Sequence, residues 1–348
     1  MTPRLLYAGG TIGAAGTPLS PMPGPDFAAR FERDLRPHLP APVREVTLEW
    51  LPRPLDSAAM TPRDWLDLAR TMATEGKEPL VLLHGTDTLA WTAAALAMLL
   101  QCYDPVGGVT ARLPRRIVLT GSQYPAFDRS GLAEDSDGPA NILGALADAA
   151  EGAGLSVFFA GASYQATRVV KTTCTGLDAF AMPNGPGRIT PRPDADAAEI
   201  AAHLAAIDPY FGKRPLLAIL ATPGGAIAGQ IEAALTAAVP PAGIHLLGFG
   251  TGNLPKEPGL PDLLSTCRDR GIPVVLTSQC LHGRLAPGTY TAGDWLADCG
   301  VLSMGDRSPA SVQVKLHLTQ ALSTLNGWDV EIRDAFLLSN IAGEDPAA

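Results

Sequence analysis

The chain has 348 residues, of which 46% are hydrophobic and 18% charged, and its formal net charge is −9. That supplies enough apolar material for a large core in two domains and excludes a disordered chain. An acidic balance without a basic face excludes a nucleic-acid partner, and the longest uncharged, mainly apolar run, Leu89 to Tyr103, is too short for the ~20 residues of a membrane helix.

In chain order, short apolar runs alternate with helical patterns, which predicts an α/β protein. Leu5 to Ala8 and Val46 to Leu51 read as strands. Thr61-Pro62-Arg63-Asp64 opens a helix, with Thr as cap, Pro in the first turn and Asp at the positive end of the dipole. Leu80 to Leu83 is a buried strand, followed by His84-Gly85-Thr86-Asp87-Thr88 and an Ala-rich helix through Leu100. Arg116 to Leu119 is a strand running into Thr120-Gly121-Ser122-Gln123, Asn141 to Ala150 a helix, and Leu155 to Phe159 a strand.

Gly185 to Asp194 is rich in Pro, Gly and Asp, which suits a connector, and a short helix follows from Ala195 to Ala206. A second α/β series begins near Leu216: strands Leu216 to Leu220, Ile244 to Gly248 and Val274 to Thr277, with helices Ile227 to Ala237 and Leu260 to Arg270. Ser311 to Leu325 is the last strong helix. The expected organisation is a larger N-terminal domain, 1–190, with a mainly parallel sheet flanked by helices; a linker, 191–212; and a smaller C-terminal α/β domain, 213–348.

The five cysteines form no CxxC or Cys/His cluster, so they read as reduced thiols rather than disulfides or a metal site. The first residues run straight into a strand with no signal-peptide stretch, which points to the cytoplasm.

Three turns carry hydroxyl or carboxylate groups just past a strand's carboxyl end: Thr11, Thr86-Asp87 and Ser122-Gln123. Ligands of open parallel sheets bind at that edge, where strand order reverses. Gly9-Gly10-Thr11-Ile12 permits a tight turn that aims main-chain N–H groups at a ligand, and an activated Thr hydroxyl there can attack a carbonyl. Read alone, the tetrapeptide favours a plain strand-to-helix turn with a capping Thr. Asp87 can hold an ammonium and Thr86 relay a proton, or either can cap the following helix. Lys171 follows two valines, so it is either a partly buried proton carrier or a solvated lysine. His84 reads as a packed strand residue.

Together these pieces resemble the bacterial-type L-asparaginases. The first family signature appears as Ala8-Gly9-Gly10-Thr11-Ile12 and the second intact as His84 to Thr88. Asp56 to Trp65, Thr120 to Pro125, Ser136 to Asn141, the Lys171 segment and Gly250 to Pro255 follow in family order. Ser278 to Asp306 is nearest the cytoplasmic type I branch. The resemblance implies an amidohydrolase that turns L-asparagine into L-aspartate and ammonia, with minor glutaminase activity and no metal or cofactor. It implies Thr11 as nucleophile; Thr86, Asp87 and Lys171 as a proton-transfer group; Ser57 at the substrate carboxylate; Asp87 also at its ammonium; and the Ser122 carbonyl at the amide nitrogen. Main-chain groups around Thr11 and Thr86 would face the oxyanion. A homodimer or homotetramer is implied, because the family completes its site with a group from a neighbouring subunit, for which Asp306 and Tyr290 are candidates. Cys280 lies in the segment of a type I regulatory site.

Three features depart from the family pattern. The loop from Gly13 to Pro21 lacks the family's Tyr, with Leu19 nearest its place; Ala58 replaces a polar residue beside Ser57; and Ala126 to Asp135 is longer than in the family. The missing Tyr and Ala58 motivate a second reading, a non-catalytic amino-acid-binding or sensing protein on the same fold. Retention of Thr11, Thr86, Asp87 and Lys171 argues against it.

Overall fold

The computed structural model describes residues 2–74, 76–286 and 288–346. Its larger sheet has six strands in the order Ala162–Gln165, Leu155–Phe159, Ile117–Thr120, Leu80–Leu83, Arg4–Gly9, Thr47–Leu55. The four pairings from Thr47–Leu55 across to Leu155–Phe159 are all parallel, and only the edge strand Ala162–Gln165 is antiparallel. The expected mixed α/β architecture is therefore what forms.

The central strands are almost wholly apolar and buried because both faces of the sheet are covered. Along Arg4–Gly9, Leu6 and Ala8 enter one core while Leu5 and Tyr7 enter the other. Helices Pro62–Met72 and Leu89–Leu99 cover the first face; helices Gly24–Arg30 and Gly138–Glu151 cover the second. Helix Leu89–Leu99 has no polar stripe because it is buried nearly all round. The helix expected to open at Thr61 forms as Pro62–Met72, with Thr61 and Asp64 joined in a capping box at its start.

The smaller sheet is fully parallel, in the order Leu216–Leu220, Gly243–Gly248, Val274–Ser278, Val301–Ser303. Its strands progress in one direction, so it contains no reversal point. The helix expected within the linker 191–212 forms at Ala197–Ile207, and its Ile200, Leu204 and Ile207 pack into the core of the larger sheet. Helix Pro309–Asn326 wedges between the two sheets. Val314, Leu318 and Leu322 enter the first core, whereas Val312 and Leu316 face Val275 of the second sheet.

Buried ions fasten this junction. Lys315 donates to Glu344 at 2.6 Å, and both side chains are almost fully buried. Burial alone would raise the Glu344 carboxyl, but the Lys315 and Arg307 charges outweigh it and hold it below the usual range. Arg168 is likewise buried against Asp306 at 2.9 Å, and also donates to the carbonyls of Asn184, Gly185 and Glu344. No helix among the described residues is long and apolar enough to cross a membrane.

Burial also pushes the imidazoles of His84, His245 and His317 down to about 4. The unfolded chain protonates these groups near 6.5, so their neutral burial contributes full stability above that pH and loses it as pH falls towards 4. Each can contribute up to roughly 3 kcal/mol. Calorimetry should show the melting temperature starting to fall near pH 6.5, above the carboxylate range; a flat profile from pH 7 to 5 contradicts this.

Candidate functional site

In the larger sheet the five parallel strands, numbered by sequence, lie in the order 2-1-3-4-5, so progression reverses between Arg4–Gly9 and Leu80–Leu83. Crevices at such reversal points take ligands at the carboxyl ends of the strands. Thr11 and Thr86 follow those two strands. Ser57 follows their neighbour Thr47–Leu55, and Ser122 follows Ile117–Thr120. The four loops thus share one sheet edge.

Missing side chains let these loops interlock. Gly10 has φ +82, and a Cβ there would lie 2.3 Å from the Gly85 nitrogen. A Cβ on Gly85 would lie 2.3 Å from Ser57 Oγ, and one on Gly121 2.3 Å from the His84 carbonyl oxygen. Close backbone approach of this kind is what glycine permits. The Gly10 N–H donates to the Leu55 carbonyl at 3.1 Å, and Thr88 Oγ1 to the Ser57 carbonyl at 2.8 Å. Thr11 then starts a short 3-10 turn, Thr11–Gly13. Among the described residues, no acceptor is present for the main-chain N–H of Thr11 or of Thr86.

Lys171 reaches this edge from a separate two-stranded piece, Val170–Lys171 paired with Phe180–Ala181. Its Nζ donates to Thr86 Oγ1 and to Asp87 Oδ1, both at 2.8 Å. The Lys171 side chain is 18% exposed and that of Asp87 63%, so the buried end of the pair is the ammonium and the open end the carboxylate. Asp87 and Lys171 line a cavity of about 380 Å³ together with Trp91, Thr173 and Cys174. Thr86 Oγ1 also lies 3.4 Å from Gln123 Oε1, and Gln123 Nε2 donates to the Gly176 carbonyl at 3.0 Å.

Ser122 is fully buried, and its hydroxyl donates to the Tyr124 carbonyl. The Ser136 to Asn141 segment, to which the sequence assigns no role, holds this loop through Asp137 and Asn141. Asp137 accepts from the main-chain N–H groups of Gln123 and Tyr124, and Asn141 Nδ2 donates to the Gly121 carbonyl at 3.0 Å. His84, given no role from sequence, is indeed packed: its ring nitrogens meet the Gly85 carbonyl, Thr92 Oγ1 and Met60 Sδ. Among the described residues no cluster of His, Cys, Asp and Glu suits a metal.

Other expectations fare differently. Asp306 is locked by Arg168 of its own chain, so it is not a free group for a neighbouring subunit. Tyr290 is exposed, before helix Thr291–Asp298. Cys280 lines a separate cavity of about 210 Å³ at the edge of the smaller sheet. Leu19 is exposed on the loop that lacks a Tyr. Tyr7 lies beneath the Thr11 turn, but its hydroxyl donates to the Met22 carbonyl at 3.0 Å and its ring stacks on Phe27. The longer segment after Pro125 is stitched to the same turn, with the Ala126 N–H donating to the Ile12 carbonyl at 3.0 Å.

The interlock makes a stability prediction. Gly224 has φ +72 but open space around a Cβ, whereas Gly10 has a similar φ and a backbone collision. Gly10→Ala should lower the melting temperature by at least about 5 °C more than Gly224→Ala. Equal losses in the two variants, measured by calorimetry, contradict the close approach.

Comparison with known proteins points one way. A family model for the asparaginase N-terminal domain matches residues 4–195, and one for the glutaminase/asparaginase C-terminal domain matches residues 218–336. The chain is 31% identical to L-asparaginase 1 of Escherichia coli (strain K12) over 338 residues, covering 91% of this chain and 92% of that protein. The L-asparaginase I structure from Vibrio cholerae superposes with a TM-score of 0.73 at 28% identity, over 99% of both chains. The thermostable L-asparaginase from Thermococcus kodakarensis superposes with a TM-score of 0.75 at 27% identity, over the full length of both. With both parts of the sequence matched and the two-sheet fold shared from end to end, the chain belongs to the asparaginase family.

Proposed function

We propose that this protein is an amidohydrolase that converts L-asparagine to L-aspartate and ammonia, with L-glutamine a minor substrate, and that Thr11 is its nucleophile. The observation that carries the reading is Lys171 Nζ at 2.8 Å from both Thr86 and Asp87, on loops interlocked with the turn that bears Thr11. Family membership and the L-asparaginase relatives support the substrate class.

In this scheme the exposed Asp87 carboxylate holds the substrate ammonium, and Ser57 binds the α-carboxylate. Thr11 Oγ attacks the side-chain carbonyl carbon, and its proton is relayed through Thr86 Oγ1 and Lys171 Nζ to the leaving amide nitrogen, Lys171 giving up one proton as it receives another. The main-chain N–H groups of Thr11 and Thr86, which lack acceptors within the described chain, stabilise the oxyanion. The Ser122 carbonyl accepts a hydrogen bond from the amide nitrogen. The C–N bond then breaks, ammonia leaves with the added proton, and water hydrolyses the aspartyl ester and restores the Thr11 hydroxyl. The scheme uses no metal or organic cofactor.

Tyr7 does not take the place of the absent loop Tyr as a base. Burial raises its phenol well above the ordinary range, and its proton is committed to Met22. Activation of Thr11 therefore falls to the Thr86–Lys171 side. We further propose a cytoplasmic homodimer or homotetramer, supported by similarity to L-asparaginase 1 and L-asparaginase I.

Ammonia release from L-asparagine by purified protein is the direct test. Thr11→Ala should lose at least about 1,000-fold in turnover while still binding asparagine in titration calorimetry. Undiminished turnover in Thr11→Ala contradicts the nucleophile. Asparagine binding without ammonia release from either amide by the wild type contradicts the enzyme and favours a binding protein.

A further inference from the structure

The loop from Gly121 to Tyr124 has four of its main-chain groups tied to one short segment, 136–141. Asp137 Oδ1 and Oδ2 accept from the Gln123 N–H at 3.0 and 2.9 Å, and Oδ1 also accepts from the Tyr124 N–H at 3.1 Å. Asn141 Nδ2 donates to Asp137 Oδ2 at 3.1 Å and to the Gly121 carbonyl at 3.0 Å. Asn141 Oδ1 in turn accepts from the Ala160 N–H at 2.9 Å, at the end of strand Leu155–Phe159. The Tyr124 carbonyl accepts from Ser136 Oγ at 3.1 Å and from the Ser122 hydroxyl. The carbonyl of Ser122 accepts no hydrogen bond among the described residues, and it shares a peptide plane with the Gln123 N–H that Asp137 holds.

A carboxylate bound by two consecutive main-chain N–H groups is a rigid, charge-assisted anchor. It fixes the peptide planes on the C-terminal side of Ser122, while Asn141 fixes the plane on the N-terminal side. A carbonyl left without a partner between two clamped planes is oriented by them.

We propose that Asp137, seated by Asn141, is a positioning residue for the reaction: it aims the Ser122 carbonyl at the nitrogen of the scissile amide. The inference rests on the amidohydrolase reading above and adds to it a residue outside the proposed catalytic group. The orienting effect concerns the nitrogen alone. L-Aspartate carries an oxygen in place of that nitrogen but keeps the α-ammonium and α-carboxylate, so it cannot donate to the Ser122 carbonyl and its affinity reports the contacts to the rest of the molecule.

The test compares steady-state turnover of L-asparagine with competitive inhibition by L-aspartate, in wild type and Asp137→Asn. The asparagine substitution keeps the shape but leaves one acceptor oxygen for three donors and turns an NH₂ group towards them. We expect kcat to fall about 10- to 100-fold, as for a misplacement near 1 Å, with the aspartate inhibition constant changed less than about two-fold. A wild-type kcat, or turnover and aspartate affinity that fall together by one factor, overturns the proposal. If circular dichroism shows that Asp137→Asn does not fold, Asn141→Ser is measured the same way, since it frees one side of the carboxylate. A wild-type kcat in that variant overturns the proposal, and a selective kcat loss supports it. A wild type that releases no ammonia overturns the parent reading itself, a result distinct from any difference between variants.

Discussion

The close approach of Gly10 to Gly85 is the contact on which the rest of the site depends. Each backbone occupies space that any side chain on the other would need. Because the two glycines follow strands on either side of the reversal point, their contact closes the crevice that the strand order opens. It brings the Thr11 turn against the Thr86 loop, and the Gly85–Ser57 approach adds the third loop. Reactive groups from separate strands are held by main-chain packing, which is stiffer than hydrogen bonding between side chains. Rigid placement of this kind is what positioning and preorganised electrostatics require.

The remaining component comes from outside the sheet. Lys171 follows Arg168 by three residues, and Arg168 is anchored by Asp306 and by the carbonyls of Asn184, Gly185 and Glu344. Isolated buried ion pairs add little net stability, because desolvation offsets their attraction. Their cost is justified here by geometry: the Arg168 fork has a unique set of acceptors and so fixes the register of the strand that delivers Lys171. The Lys315–Glu344 pair does the same for the chain end that supplies one of those carbonyls. The smaller sheet and the wedge helix therefore contribute to the Lys171 position without supplying a side chain to the Thr86–Asp87–Lys171 group.

Much of this was legible in the sequence because the central strands are short, wholly apolar and followed by Gly, Thr and Asp. Buried strands of the larger sheet read as Leu80 to Leu83 and Leu155 to Phe159 without ambiguity. The edge strand Ala162–Gln165 did not, since none of its residues is fully buried and it pairs on one side only. Helix Gly24–Arg30 was missed because its opening Gly-Pro reads as a turn. Asp137 could not be recognised as an anchor: it acts on main-chain groups 14 residues earlier, and only the path of the intervening loop brings them together. Asp306 looked available because sequence carries no trace of its partner Arg168, 138 residues away.

The central claim is that Thr11 forms the covalent bond. The most direct measurement is peptide-resolved mass spectrometry of enzyme quenched in acid during turnover of L-asparagine. The account predicts an added aspartyl group on the peptide containing Thr11, lost on incubation without substrate. An aspartyl group found on the peptide containing Thr86, or none on any peptide while ammonia is being released, contradicts it.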